Sequence, residues 1–127
     1  MTQCFTDTDT TAKPEKKIEF FPDSAVEKEF KKLPEKQRDR FLQDLMMIAK
    51  GLPPTCKVKN LKGMEKGVSE LIINGSPAFR CVYYTKLDGR IVVVHATEKT
   101  AEGRDSQIIN VVTTRLTRLL QQEKRKK

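Results

Sequence analysis

Tryptophan is absent from this chain, histidine occurs once, at His95, and cysteine three times, at Cys4, Cys56 and Cys81. The cysteines form no CxxC pair and no histidine stands at ligand spacing from them. That argues against a zinc motif or a disulfide frame and for reduced thiols. No stretch approaches the roughly twenty consecutive apolar residues of a membrane-spanning helix. The opening "MTQCFTDTDTTAKPEKK" lacks an apolar core and carries acids early, so it does not read as a secretory signal. The expectation is a soluble, cytoplasmic protein with no membrane partner. Acidic residues are also short: 17 Asp and Glu stand against 25 Lys and Arg, a formal net charge of +8. Such a surplus favours an anionic partner, nucleic acid above all.

What is present fits one domain in 127 residues. Residues 1–15 are Thr/Asp-rich and read as a disordered tail, with too little apolar surface to offset ordering entropy. The domain spans 16–122, and 123–127 is a basic C-terminal tail. "KIEFF" predicts a short first strand. "DSAVEKEF" predicts a helix with Val26, Phe30 and Leu33 on one stripe, Ser24 and Glu27 standing at capping-box spacing. Pro34 ends it and opens a second helix, "PEKQRDRFLQDLMMIAKG", antiparallel to the first. Phe41, Leu42, Leu45, Met46, Ile48 and Ala49 line its apolar face, Met46 and Met47 fill core, and Gly51 takes the C′ position.

"LPPTCKVKNLKGMEKG" reads as a loop, in which Lys57, Lys59, Lys62 and Lys66 outweigh Glu65. Three strands follow: "VSELIIN", "AFRCVYYTKL" and "RIVVVHATEK". A last helix behind an Asp105 or Ser106 cap carries Ile108, Val112, Leu116, Leu119 and Leu120 inward. The fold class is α+β: an N-terminal strand, a two-helix hairpin, a three-stranded antiparallel meander joining that strand in one sheet, and a C-terminal helix. One sheet face packs on the helices and the other is open or lightly covered.

The turn Asp88-Gly89 is a two-residue hairpin signal that sets Leu87 opposite Arg90. Counting back puts Tyr84 opposite Val93, Val82 opposite His95 and Arg80 opposite Thr97. Alternate residues share a face, so Arg80, Val82, Tyr84, Val93, His95, Thr97 and Lys99 lie on one side. Phe79, Cys81, Tyr83, Val92, Val94 and Ala96 lie on the other. A guanidinium, an ammonium group and an imidazole on one non-core face are suited to phosphate. Arg80 has a plainer partner as well, Glu70, if the preceding hairpin keeps even register. Tyr83 and Tyr84 serve packing more often than base stacking.

The pieces "NLKGM", "GVSEL", "FRCVYY" and "VHATEKT", in that order and spacing, resemble the RelE/ParE toxin superfamily over residues 17–120. Within it the likeness is to the HigB-like, phage-derived host-killing branch. The resemblance implies a RelE-like fold and the toxin of a type II toxin–antitoxin pair. It further implies an endoribonuclease that cleaves mRNA, often on the ribosome, through the ribose 2′-OH, with no metal or other cofactor. Arg80 matches the family's basic residue on the middle strand, His95 the histidine common in the branch, and Lys99 its basic segment after the last strand; the resemblance implies these as catalytic, with Tyr84 beside them to place a base or phosphate. Lys57, Lys59, Lys62 and Lys66 would hold the RNA backbone. The implied partners are a cognate antitoxin, a helix-turn-helix protein encoded nearby, with operator DNA reached only through it, besides mRNA and the ribosome. Ile72 stands where the family has a basic residue, Thr97 where it has an aromatic one, and Glu98 where it has a lysine. A gyrase-targeting, ParE-like toxin and a catalytically degenerate nucleic-acid- or antitoxin-binding protein therefore stay open.

Overall fold

The computed structural model describes residues 15–61, 66–75, 77–99 and 106–125. Residues 1–14 of the N-terminal tail, Lys62 and the Asp105 cap lie outside them, as do the side chains of Lys99 and Ser106. The predicted first strand forms as β1 (Lys17–Phe20), followed by helices α1 (Asp23–Lys32) and α2 (Glu35–Ala49). Ser24 does not cap α1: Pro22 occupies the N-cap position and no side chain closes the end. Its inward stripe holds, with Val26, Phe30 and Leu33 all buried.

α2 buries Phe41, Leu45 and Ala49 but leaves Met46 50% exposed, which corrects the expectation that both methionines of "LMMIA" fill core. One residue is about 100° of helix, so Met46 turns outward as Leu45 turns in. Gly51 closes the helix at φ +84°, donating its N–H to Ile48 while the Leu52 N–H bonds back to Met47. Those two bonds are a Schellman motif, which needs a left-handed C′ residue and so favours glycine.

The stretch expected to be a loop contains a strand, β2 (Lys57–Asn60), ahead of β3 (Val68–Ile73), β4 (Ala78–Tyr84) and β5 (Arg90–Lys99). "KVKN" has one apolar residue among lysines, too little for a periodicity signal. β3 supplies its register, setting Val58 opposite Leu71. The approach to β2 is held by Asp44 of α2, whose Oδ1 accepts the Thr55 hydroxyl at 2.8 Å and whose Oδ2 accepts the Cys56 N–H at 2.7 Å. Burial alone would raise the Asp44 carboxyl, but these hydrogen bonds outweigh it and hold the group below its ordinary value.

The sheet runs β1-β5-β4-β3-β2, with β1 parallel to β5 and every other pair antiparallel. On one face, α1 and α2 pack Val26, Phe30, Phe41 and Leu45 on Leu71, Phe79, Cys81, Tyr83 and Val93. The other face, expected to be open or lightly covered, is covered at one end by α3 (Ser106–Arg125). Ile108, Val112, Leu116 and Leu119 of α3 bury against Val68, Val82, Tyr84, Val92 and Val94. Each such side chain contributes roughly 1.5–3 kcal/mol on full burial, enough in sum to hold a helix that is marginal alone. The unbroken apolar run Ile91–Val94 is the sequence trace of a strand covered on both sides. α3 continues to Arg125, and Glu123 within it binds Arg90 at 2.7 Å.

The β4–β5 hairpin has the predicted Asp88-Gly89 turn, with Gly89 at φ +71° and the Arg90 N–H donating to the Leu87 carbonyl. Arg80 faces Thr97 and Val82 faces His95 as expected, but Tyr83 then faces Val93 and Tyr84 faces Val92. Val94 is the extra residue of a β-bulge. It exchanges the expected faces of the valines: Val93 goes to the α1/α2 core, and Val92 and Val94 go under α3.

Candidate functional site

Cross-strand register lines up two rungs on the α3 side of the sheet. Lys57, Ile72, Arg80 and Thr97 form one, and Lys59, Glu70, Val82 and His95 form the next. Adjacent strands stand about 4.8 Å apart, so each rung spans roughly 14 Å from β2 to β5, the reach of a few nucleotides. Lys57 and Lys59 are exposed at the β2 edge. Lys66 is also exposed, in the turn before β3. Lys99 occupies the register position opposite Ala78, one rung beyond Arg80. Tyr84 is not brought to this group. It is buried in the α3 cluster, four residues along β4 and so about 13 Å from Arg80.

The Arg80 guanidinium turns along the sheet to Glu70, at 3.1 Å between Nη1 and Oε1, with side-chain exposures of 14% and 0%. A wholly buried carboxylate needs such a counter-charge, because leaving water costs several kcal/mol per ion. The pairing is the plainer alternative the sequence offered for Arg80.

His95 departs furthest from expectation. It is 9% exposed, and it turns to the outer edge of β5 instead of towards Arg80. β1 accompanies β5 only as far as Val93, where Phe20 is its partner and the Phe21 N–H takes the Val93 carbonyl. Beyond that point the edge of β5 has no neighbouring strand among the described residues, and buried backbone groups need other partners. Side chains supply them. Glu29 of α1 accepts the Ala96 N–H at 3.1 Å, and Arg115 of α3 donates to the Val94 carbonyl at 2.8 Å. Arg115 also grips Glu29 with both terminal nitrogens, at 3.0 and 2.9 Å. The imidazole completes the cluster, its Nδ1 lying 3.1 Å from Glu29 Oε1. Burial pushes the Glu29 carboxyl up, but the hydrogen bonds from His95, Arg115 and Ala96, with the charge of a protonated His95, bring it down to about 2. It is a carboxylate at any physiological pH.

Sequence reasoning missed Glu29 and Arg115. Each is one charged residue among many on a helix, and its only trace is a place on the flank of an apolar stripe, beside Phe30 and Leu116. Next to the cluster, a groove of about 410 Å³ opens between Pro22 and Ala25 on one side and Asn110, Thr114, Arg115 and Arg118 on the other. Cys56 and Cys81 offer no nucleophile: burial, reinforced by Asp44, pushes the Cys56 thiol up to about 12, and burial raises Cys81 too. Among the described residues, no three His, Cys, Asp or Glu side chains come together as a metal site. Nor is any described helix long and apolar enough to cross a membrane.

Two exposed lysines at the β2 edge, the Arg80–Glu70 pair and one buried histidine, on a mixed sheet with helices on both faces, are the setting for the family comparison. Residues 28–117 match the family described as phage derived protein Gp49-like (DUF891), and the chain belongs to that family. It is a RelE-like toxin family associated with toxin–antitoxin systems, which implies an antitoxin as partner. A search of the curated proteins finds no match.

Proposed function

We propose that this protein is the HigB-like toxin of a type II toxin–antitoxin pair and inhibits translation by cutting mRNA, on the ribosome, without a metal or other cofactor. The observation that supports the reading is the register that puts exposed Lys57 and Lys59 on the same two rungs as Arg80 and His95, with the His95 ring turned to the outer edge of β5. The lysines hold successive phosphates and make binding salt-sensitive. Arg80, with Lys99 one rung on, stabilises the charge that builds on the phosphate oxygens, an effect whose removal costs on the order of 10²–10³ in rate. His95 takes the proton of the ribose 2′-OH. The 2′-oxygen then bonds to phosphorus, the bond from phosphorus to the 5′-oxygen breaks, and that oxygen takes a proton from water. The products are a 2′,3′-cyclic phosphate and a 5′-hydroxyl end.

One observation favours a second reading, binding without cleavage: Arg80 faces a fully buried carboxylate, Glu70. Inducing the protein in bacteria while mapping transcript ends, translation rate and DNA integrity separates the readings. Codon-phased message cuts support the proposal. Intact message with DNA breaks points to gyrase, and intact message with intact DNA points to the binding protein. Replacing Lys57 and Lys59 by glutamate should weaken RNA affinity tenfold or more at low salt and flatten its salt dependence.

A further inference from the structure

Resting on the proposed cleavage, we infer that Glu29 is a positioning residue for His95, fixing the imidazole in its Nδ1–H tautomer so that Nε2 is the nitrogen that accepts the 2′-OH proton.

The tautomer follows from the partners. Glu29 Oε1, 3.1 Å from Nδ1, belongs to an ionised carboxylate, which only accepts hydrogen bonds. Nδ1 therefore carries the proton and donates it. Arg115 Nη1 also comes within 3.5 Å of Nδ1, but a guanidinium only donates, so two donors face each other there. The Arg115 protons go instead to Glu29 and to the Val94 carbonyl, both at shorter range. Glu29 comes from α1 and Arg115 from α3, while the cross-strand neighbour on β4, Val82, is uncharged. With Nδ1 protonated, the lone pair of the neutral ring is on Nε2. Once Nε2 takes a proton, the ring is a cation whose charge lies directly against the Glu29 carboxylate. That arrangement orients the base without the carboxylate touching substrate.

The geometry also limits how Glu29 can move. Its Oε1 receives Ala96 N–H, Arg115 and His95 together, and its Oε2 receives Arg115. Ring, strand edge and two helices are tied at one carboxylate, so the direction of Nε2 is set by the tertiary fold and not by a flexible side chain.

His95 is the only histidine in the chain, so the imidazole nitrogens of the full-length protein, labelled with ¹⁵N-histidine, give two unambiguous resonances. The expected result at neutral to mildly alkaline pH is a pyrrole-type Nδ1 and a pyridine-type Nε2. A pyridine-type Nδ1 in the wild type overturns the inference. Kinetics supply the second arm. Glu29→Gln keeps the size and one acceptor oxygen but loses the charge, and it should lower kcat on RNA on the order of a hundredfold with KM nearly unchanged. His95→Asn keeps a donor at the Nδ1 position while removing Nε2, and should fold yet lose cleavage by at least as much. A folded Glu29→Gln protein that cuts RNA at the wild-type rate refutes the positioning role. If the wild type cuts no RNA under any condition that includes ribosomes, the proposed cleavage fails and the catalytic half of this inference falls with it. The ring nitrogens still decide the tautomer.

Discussion

Two Arg–Glu clusters flank β4 and β5, and they differ in what holds them. Glu70 and Arg80 belong to consecutive strands, are ten residues apart, and meet because one hairpin register sets them diagonally across the sheet. Glu29 and Arg115 are 86 residues apart and meet where α1 and α3 converge on the edge of β5 beyond the end of β1. In the first cluster a guanidinium balances a buried carboxylate. In the second the side chains complete the backbone hydrogen bonds of Ala96 and Val94 at the strand edge. The inner pair is thus a matter of charge balance in a dry site, whereas the outer one doubles as an edge cap and holds the sole histidine.

The largest expected effect tests the inner pair. Arg80→Ala takes the counter-charge from a wholly buried Glu70, and denaturant unfolding should report a loss of about 3–5 kcal/mol. Replacing Glu70 and Arg80 together by methionine should restore most of that stability, because an apolar pair carries no desolvation penalty. If the double variant is as unstable as the single one, charge balance is not what the pair supplies.

The outer cluster is partly solvated, so Glu29→Ala should cost less, about 2–3 kcal/mol, of which the Ala96 and Val94 edge groups are a share. Hydrogen exchange at Ala96 should accelerate in that variant while Val82 on β4 stays protected. Equal acceleration at both would mean the edge is not a separate unit.

Acid tests the outer cluster. Glu29 is held at about 2 against an ordinary 4.5, so the unfolded state binds protons more readily and folding is favoured above pH 4.5. That contribution is lost as pH falls from 4.5 towards 2. Glu29→Gln should flatten the stability–pH curve across that window; an unchanged slope would assign the acid sensitivity elsewhere. The smallest expected effect is at Met46. Although it sits within an apolar run, Met46→Lys should leave stability within about 0.5 kcal/mol, as at exposed sites. A loss above 2 kcal/mol would mean that the outward face of α2 is covered in solution.

Much of the architecture was legible because it is local. Helix periodicity placed Val26, Phe30, Phe41, Leu45, Val112 and Leu116 inward. Gly51 and Asp88-Gly89 marked a helix end and a turn through backbone conformations that glycine adopts most readily. Of the candidate site, the opposition of Arg80 to Thr97 and of Val82 to His95 was readable from the turn, and Glu70 was foreseen as a partner for Arg80. The family resemblance likewise rests on pieces contiguous in the chain.

Other features depend on groups that sequence alone cannot bring together. β2 becomes a strand because β3 offers it an edge and Asp44 ties down its approach, not because "KVKN" favours extension. The bulge at Val94 exchanges the faces expected for Val92, Val93 and Val94, and period-two counting assumes no such insertion. Above all, the direction of His95 was decided by where β1 stops. A residue's face follows from alternation along its own strand, but the partner of its ring depends on which distant side chains must satisfy the same strand edge. Periodicity determined the elements and most of their faces, while the Glu29–His95–Arg115 contact, joining α1, β5 and α3, was settled only by tertiary packing around buried backbone groups that needed partners.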